Sequence, residues 1–202
     1  MIYSVDFETT TDINDCRVWA YGMCEVNNVE TFEYGNNIND FMKRCENSNN
    51  SIFYFHNLKF DGEFILNWLF KHNFKWVNDR KKAFSKSFTT LINDMGQFYQ
   101  MEIYFNINGH HVSKCTIKDS LKVLPFSVEE TAKAFNLPVS KLELDYTSKR
   151  EINHKLTPHE IEYLKNDVVI IAMALNILFK QGMNKLTTGA NALNDFKSMI
   201  PP

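Results

Sequence analysis

The stretch 157–182 limits the possible folds of this chain more than any other. Thr157-Pro-His-Glu is a capping box with proline at the first helical position, and Gly182 supplies a stop, so the spacing predicts one long helix reaching about Gln181. Ile161, Leu164, Val168 and Ala172 lay an apolar stripe along it, and the longest apolar run of the chain, 168–175, falls inside it. A helix of this kind has to be covered by another layer, and the run is far short of a membrane span. The first half of the chain supplies the cover. Residues 2–6, 17–23, 29–34 and 52–55 read as strands, the second and third as a hairpin across Glu25-Val-Asn-Asn, and 84–117 reads as further short strands with turns near Asn93 and Asn106. Residues 38–45 and 61–72 read as helices, the latter carrying Phe64, Ile65, Trp68 and Leu69 at helical spacing, and Ser127-Val-Glu-Glu is a second capping box. Strands first, helices interspersed and a long late helix point to a mixed α/β layer architecture, with no repeat or linker to divide the 202 residues.

Composition excludes several functions. With 22 basic and 24 acidic side chains the net charge is -2, so no large polybasic field exists, and a nucleic-acid partner has to be gripped locally. Seven glycines disfavour a Gly-rich phosphate loop. Cys16, Cys24, Cys45 and Cys115 show no C-x-x-C pairing, which argues against a zinc cluster or disulfide framework and for reduced thiols. A charge already at Asp6 argues against a signal peptide, and the expectation is a soluble protein of the cytoplasm.

Three short motifs carry chemistry. Asp6-Phe-Glu8 ends a strand, and alternation puts both carboxylates on one side about 7 Å apart, where they can converge on divalent cations. Asp61 follows His56-Asn-Leu-Lys-Phe at a strand-to-helix junction, and Tyr163 and Asp167 share a helix face. Each alone also fits a plainer reading: an exposed acidic pair, a helix cap, a tyrosine at the core margin with a solvated aspartate.

In order, however, D-x-E, N-x-x-[FY]-D and Y-x-x-x-D match the three motifs of the DEDDy class of 3′–5′ exonucleases. Tyr3-Ser-Val-Asp-Phe-Glu-Thr-Thr-Thr, Cys16-Arg-Val-Trp-Ala-Tyr-Gly, Tyr54-Phe-His-Asn-Leu-Lys-Phe-Asp-Gly and Asp119-Ser-Leu-Lys-Val-Leu-Pro-Phe extend the likeness. The chain thereby resembles the exonuclease domain of protein-primed family B DNA polymerases of the phage phi29 type. The resemblance implies a ribonuclease H-like α/β fold, a central mixed sheet flanked by helices. It also implies hydrolysis of single-stranded DNA from the 3′ end to nucleoside 5′-monophosphates. Two Mg²⁺ or Mn²⁺ ions would be held by Asp6, Glu8, Asp61 and Asp167. Tyr163 would orient the attacking water, Lys141 would stabilise charge at the scissile phosphate, and Thr9, Asn57, Phe60, Ser120, Leu121 and Tyr146 would hold the last nucleotides. Phe126 matches a position that touches the priming (terminal) protein, while His110, His111 and His154 match no role and read as loop residues.

Residues 1–202 are expected to form one exonuclease domain, with 186–202 resembling the start of a connection to a polymerase domain in the same or a separate chain. Polymerase motifs are absent, so the chain alone should not synthesise DNA. The other readings are an exonuclease acting on short RNA, and a non-catalytic module that binds a priming protein or other partner. Retention of the whole carboxylate set argues against the module.

Overall fold

The computed structural model describes residues 1–12 and 14–199. Eight strands form one mixed sheet: β1 Ile2–Thr9, β2 Val18–Glu25, β3 Asn28–Gly35, β4 Ser51–Phe55, β5 Lys75–Trp76, β6 Ser87–Ile92, β7 Phe98–Asn108 and β8 His111–Asp119. Their order across the sheet is β3-β2-β1-β4-β8-β7-β6-β5. The pairs β1–β4, β4–β8 and β5–β6 are parallel and the rest antiparallel. Helices α1 Ile38–Asn47 and α2 Leu58–Lys71 cover one face; α3 Val128–Ala134 and α4 Pro158–Lys180 cover the other, and α5 Thr188–Met199 follows. This is the helix-flanked mixed sheet that the resemblance implies. No helix among the described residues is long and apolar enough to cross a membrane.

β1 lies inside the sheet and is covered on both sides. Tyr3, Val5 and Phe7 pack with Phe41, Phe55 and Ile65 on the side of α1 and α2, while Ile2 packs with the apolar stripe of α4. α4 begins at the expected capping box, with Thr157 and Glu160 bonded reciprocally, and ends at Lys180. It crosses β2 at Gly22, where a Cβ would lie 3.2 Å from Leu164 Cβ, so the missing side chain lets the helix settle onto the sheet.

Three differences from the sequence reading bear on the site. α2 starts at Leu58 rather than Asp61, because Asn57 turns the chain at φ 71° and gives its N–H to Asp119 Oδ1 at 3.1 Å. Asp61 is therefore inside the first turn and not the cap. α5 was not expected; Thr187 starts it by accepting from the Ala190 amide, and no side chain of the helix is buried. The end of the proposed connection, Ile200, Pro201 and Pro202, lies outside the described residues.

Candidate active site

Alternation along β1 places Ser4, Asp6 and Glu8 on the face beneath α4. α4 presents Tyr163 and Asp167, one turn apart, to the same space. The irregular stretch 135–157 between α3 and α4 adds Lys141 and Tyr146. Together they surround a cavity of about 340 Å³.

The walls are hydrogen-bonded to one another. The Lys141 ammonium donates to Tyr163 Oη at 3.0 Å and is paired with Asp167 Oδ2. Tyr146 Oη meets Tyr163 Oη at 2.8 Å. Asp167 Oδ1 is buried and has no hydrogen-bond partner among the described residues. Burial, and then the charge of Asp167, raises Asp6 to about 7; burial, and then Asp6 and Asp167, raises Glu8 to about 9. Burial also pushes up Asp167, and Lys141 opposes it. Burial pulls the Lys141 ammonium down, but Asp167 reverses this and leaves it above its ordinary value. Tyr163 is pushed far up by burial and by Asp167, so its hydroxyl keeps its proton.

The donor set suits a hard divalent cation. It is all carboxylate oxygen, it contains one buried oxygen without a partner among the described residues, and two of its acids are pushed up first by burial and then by neighbouring acids, which a bound cation would relieve. No group of three His, Cys, Asp or Glu side chains among the described residues is already gathered as a cage. The Lys141 ammonium is the counter-charge to Asp167.

Asp6, Glu8, Lys141, Tyr146, Tyr163 and Asp167 thus meet in one cleft, and Thr9 and Phe60 line it too. Asp61 is buried and does not open onto the cavity, although Asp6 lies near enough to help raise its carboxyl well above the usual range, after burial. Asn57 and Leu121 border an adjoining hollow with Phe126. Ser120 is fully buried and donates to the Phe55 carbonyl at 3.0 Å.

Sequence reasoning passed over His56. Its Nδ1 lies 3.0 Å from Ser120 Oγ and its Nε2 2.7 Å from the Phe126 carbonyl, at the boundary of the cavity and the adjoining hollow. Burial lowers its pKa. His154 lies in the loop before α4, as the sequence suggests, and there packs edge-on against Trp19 and meets Glu160 at 2.8 Å. His111 opens β8 instead of lying in a loop, while His110 stays in a turn.

The fold is an α/β sandwich of a mixed sheet and helices, and its carboxylate-built cleft, with a lysine in the wall, has the oxygen donors that a hard divalent cation takes. The model of the family "DNA polymerase type B, organellar and viral" matches residues 42–202, and the chain belongs to that family. Asp6 and Glu8 precede the matched stretch but lie within the alignments to phage polymerases. Over 199 residues, 98% of this chain, it is 46% identical to the DNA polymerase of Bacillus phage Nf and 44% identical to that of Bacillus phage phi29. A solved structure of phi29 DNA polymerase complexed with single-stranded DNA superposes with a TM-score of 0.94 at 43% identity, covering 98% of this chain and 35% of that one. The chain spans 34% of the length of the phage Nf and phi29 relatives.

Proposed function

We propose that this chain is a metal-dependent 3′–5′ exonuclease unit for single-stranded DNA, the proofreading part of a phage-type protein-primed DNA polymerase working in host cytoplasm. The observation that carries the reading is the convergence of Asp6, Glu8, Lys141, Tyr163 and Asp167 on one cavity, with an unpartnered buried oxygen on Asp167. Residues 1–202 would act as one domain, with 186–202 leading toward the polymerase portion.

Asp6, Glu8, Asp61 and Asp167 would hold two Mg²⁺ or Mn²⁺ ions, which when bound supply Lewis-acid activation of the water and the leaving 3′-oxygen. The protein's own groups supply position and charge. Tyr163 keeps its proton, so its hydroxyl orients the attacking water by hydrogen bonding and does not act as a base. Lys141 is charged and neutralises the negative charge that builds on the scissile phosphate. Phe60 and Tyr146, both about half exposed at the rim, offer ring faces to bases of any identity, as removal of any mispaired nucleotide requires. Thr9 lies on the cavity wall and Asn57 and Leu121 on the adjoining one, where they would hold the terminal nucleotides; Ser120 acts there through His56. Phe126, exposed beside them, would touch a terminal protein.

The test is the purified chain with Mg²⁺ or Mn²⁺ and a labelled single strand. Stepwise shortening from the 3′ end is expected, abolished by EDTA and lowered at least about a hundredfold by Asp6→Ala. Preference for RNA over DNA would reassign the substrate. An untouched strand in a protein that binds the cation normally would leave a binding module in place of an enzyme.

A further inference from the structure

The cations of this acidic chain are unevenly placed. Residues 71–86 contain Lys71, Lys75, Arg80, Lys81, Lys82 and Lys86 against the single acid Asp79, six positive less one negative giving +5 in a chain of net -2. All six are exposed, and none forms an ion pair among the described residues. Asp79 forms no ion pair with them: its carboxylate accepts from the Lys81 amide at 2.9 Å and caps the one-turn 3-10 helix Arg80–Lys82. They cluster at one border of the sheet, around β5, the last strand in its order.

Aromatic rings stand among the cations. Trp76 is 53% exposed, and its indole N–H donates to Thr90 Oγ1 at 3.0 Å, which ties the ring to β6. Phe84 is 46% exposed in the turn between Lys82 and Lys86. Cations on an extended edge with rings interleaved are the arrangement that follows a phosphate backbone and stacks its bases. An anionic lipid surface would ask instead for an apolar helix face set against a basic one.

We propose that this edge is a second binding surface for single-stranded polynucleotide. Arg80, Lys81, Lys82 and Lys86 meet the phosphates, and Trp76 and Phe84 stack on bases. It lies five strand spacings from β1, about 24 Å from the acidic cleft. It would supply the local grip that a nucleic-acid partner needs on a chain of net negative charge, and it does not depend on the hydrolytic reading.

Fluorescence anisotropy of a labelled oligothymidylate, with EDTA present so that no hydrolysis intervenes, tests the proposal across a salt series. Exposed side chains can be removed here without disturbing the core, which circular dichroism checks. The triple variant R80A/K81A/K82A is expected to bind at least about tenfold more weakly at low salt and to flatten the slope of log K against log salt by about 2. Trp76→Ala is expected to weaken binding about fivefold or more while leaving the slope unchanged. Affinity within twofold of the parent and an unchanged slope in the triple variant would overturn the proposal and leave the lysines as guards of an open sheet edge. So would a triple variant that loses phosphatidylserine vesicles while oligothymidylate binding stays the same.

Discussion

Glu8 is a carboxylic acid held at about 9, with Asp6 beside it at about 7, first by burial and then by neighbouring acids. Glu8→Gln keeps the shape and removes the conflict. Near neutral pH without cations, its thermal midpoint is expected to rise by about 2–4 °C for each kcal/mol relieved, while strand hydrolysis falls at least about a hundredfold. A calorimetric scan with no rise would count against electrostatic conflict at this position. Lys141→Met leaves both oxygens of Asp167 without a cation; kcat is expected to fall about 100-fold or more with KM little changed, and Lys141→Arg to recover part of it. If KM alone moves, Lys141 holds substrate and does not stabilise charge. Asp6 with Glu8, and Tyr163 with Asp167, were legible as same-face pairs because strand and helix periods are fixed by backbone geometry. His56 was not, since its partners Ser120 and Phe126 lie 64 and 70 residues further along the chain.

Among the elements, α4 is the spine that organises the stretch 135–157. Asn166 holds the Ser140 carbonyl at 3.0 Å, His159 meets that of Glu143 at 2.9 Å, and Glu160 pairs with Arg150 at 3.0 Å while also meeting His154. Arg150 further lies over the Trp19 ring at 4.3 Å. Lys141 and Tyr146 reach the cleft because this clamp fixes the segment that bears them. Arg150→Ala breaks a buried pair and is expected to cost about 3–5 kcal/mol, with new proteolytic cleavage within 137–157 measured beside the unfolding curve. Burial pushes Glu160 up, but the Thr157 amide, His154 and Arg150 outweigh it and hold the acid at about 2. Its stabilisation is therefore complete above the ordinary glutamate range and is lost as pH falls toward about 2. The capping box revealed Glu160 as a helix start. Its second task was hidden, because Arg150 and His154 sit in a segment without periodicity and only packing brings them to it.

For the whole molecule, Asp6 and Glu8 set a pH dependence opposite in sign to that of Glu160. Both acids are raised, so the folded protein keeps protons that the unfolded chain has already released, and cation-free stability should fall as pH rises from about 4 to about 9. Magnesium or manganese, displacing those protons, should remove the decline. Thermal unfolding in EDTA and in excess cation measures both, and a flat profile in EDTA would mean that the acids are not in conflict. The sequence by itself determined the strands other than β5, the capped long helix and the shared faces of Asp6 with Glu8 and Tyr163 with Asp167, since these follow from local periods and capping chemistry. Only the tertiary structure decided that α4 would settle onto the sheet at Gly22 of β2 and that Lys141 and Tyr146 would arrive from an irregular segment. It also set Asp61 inside the first turn of α2 instead of at its cap, because the early start of the helix after Asn57 rests on a bond to Asp119, and long-range contacts of this kind leave no periodic trace in the chain.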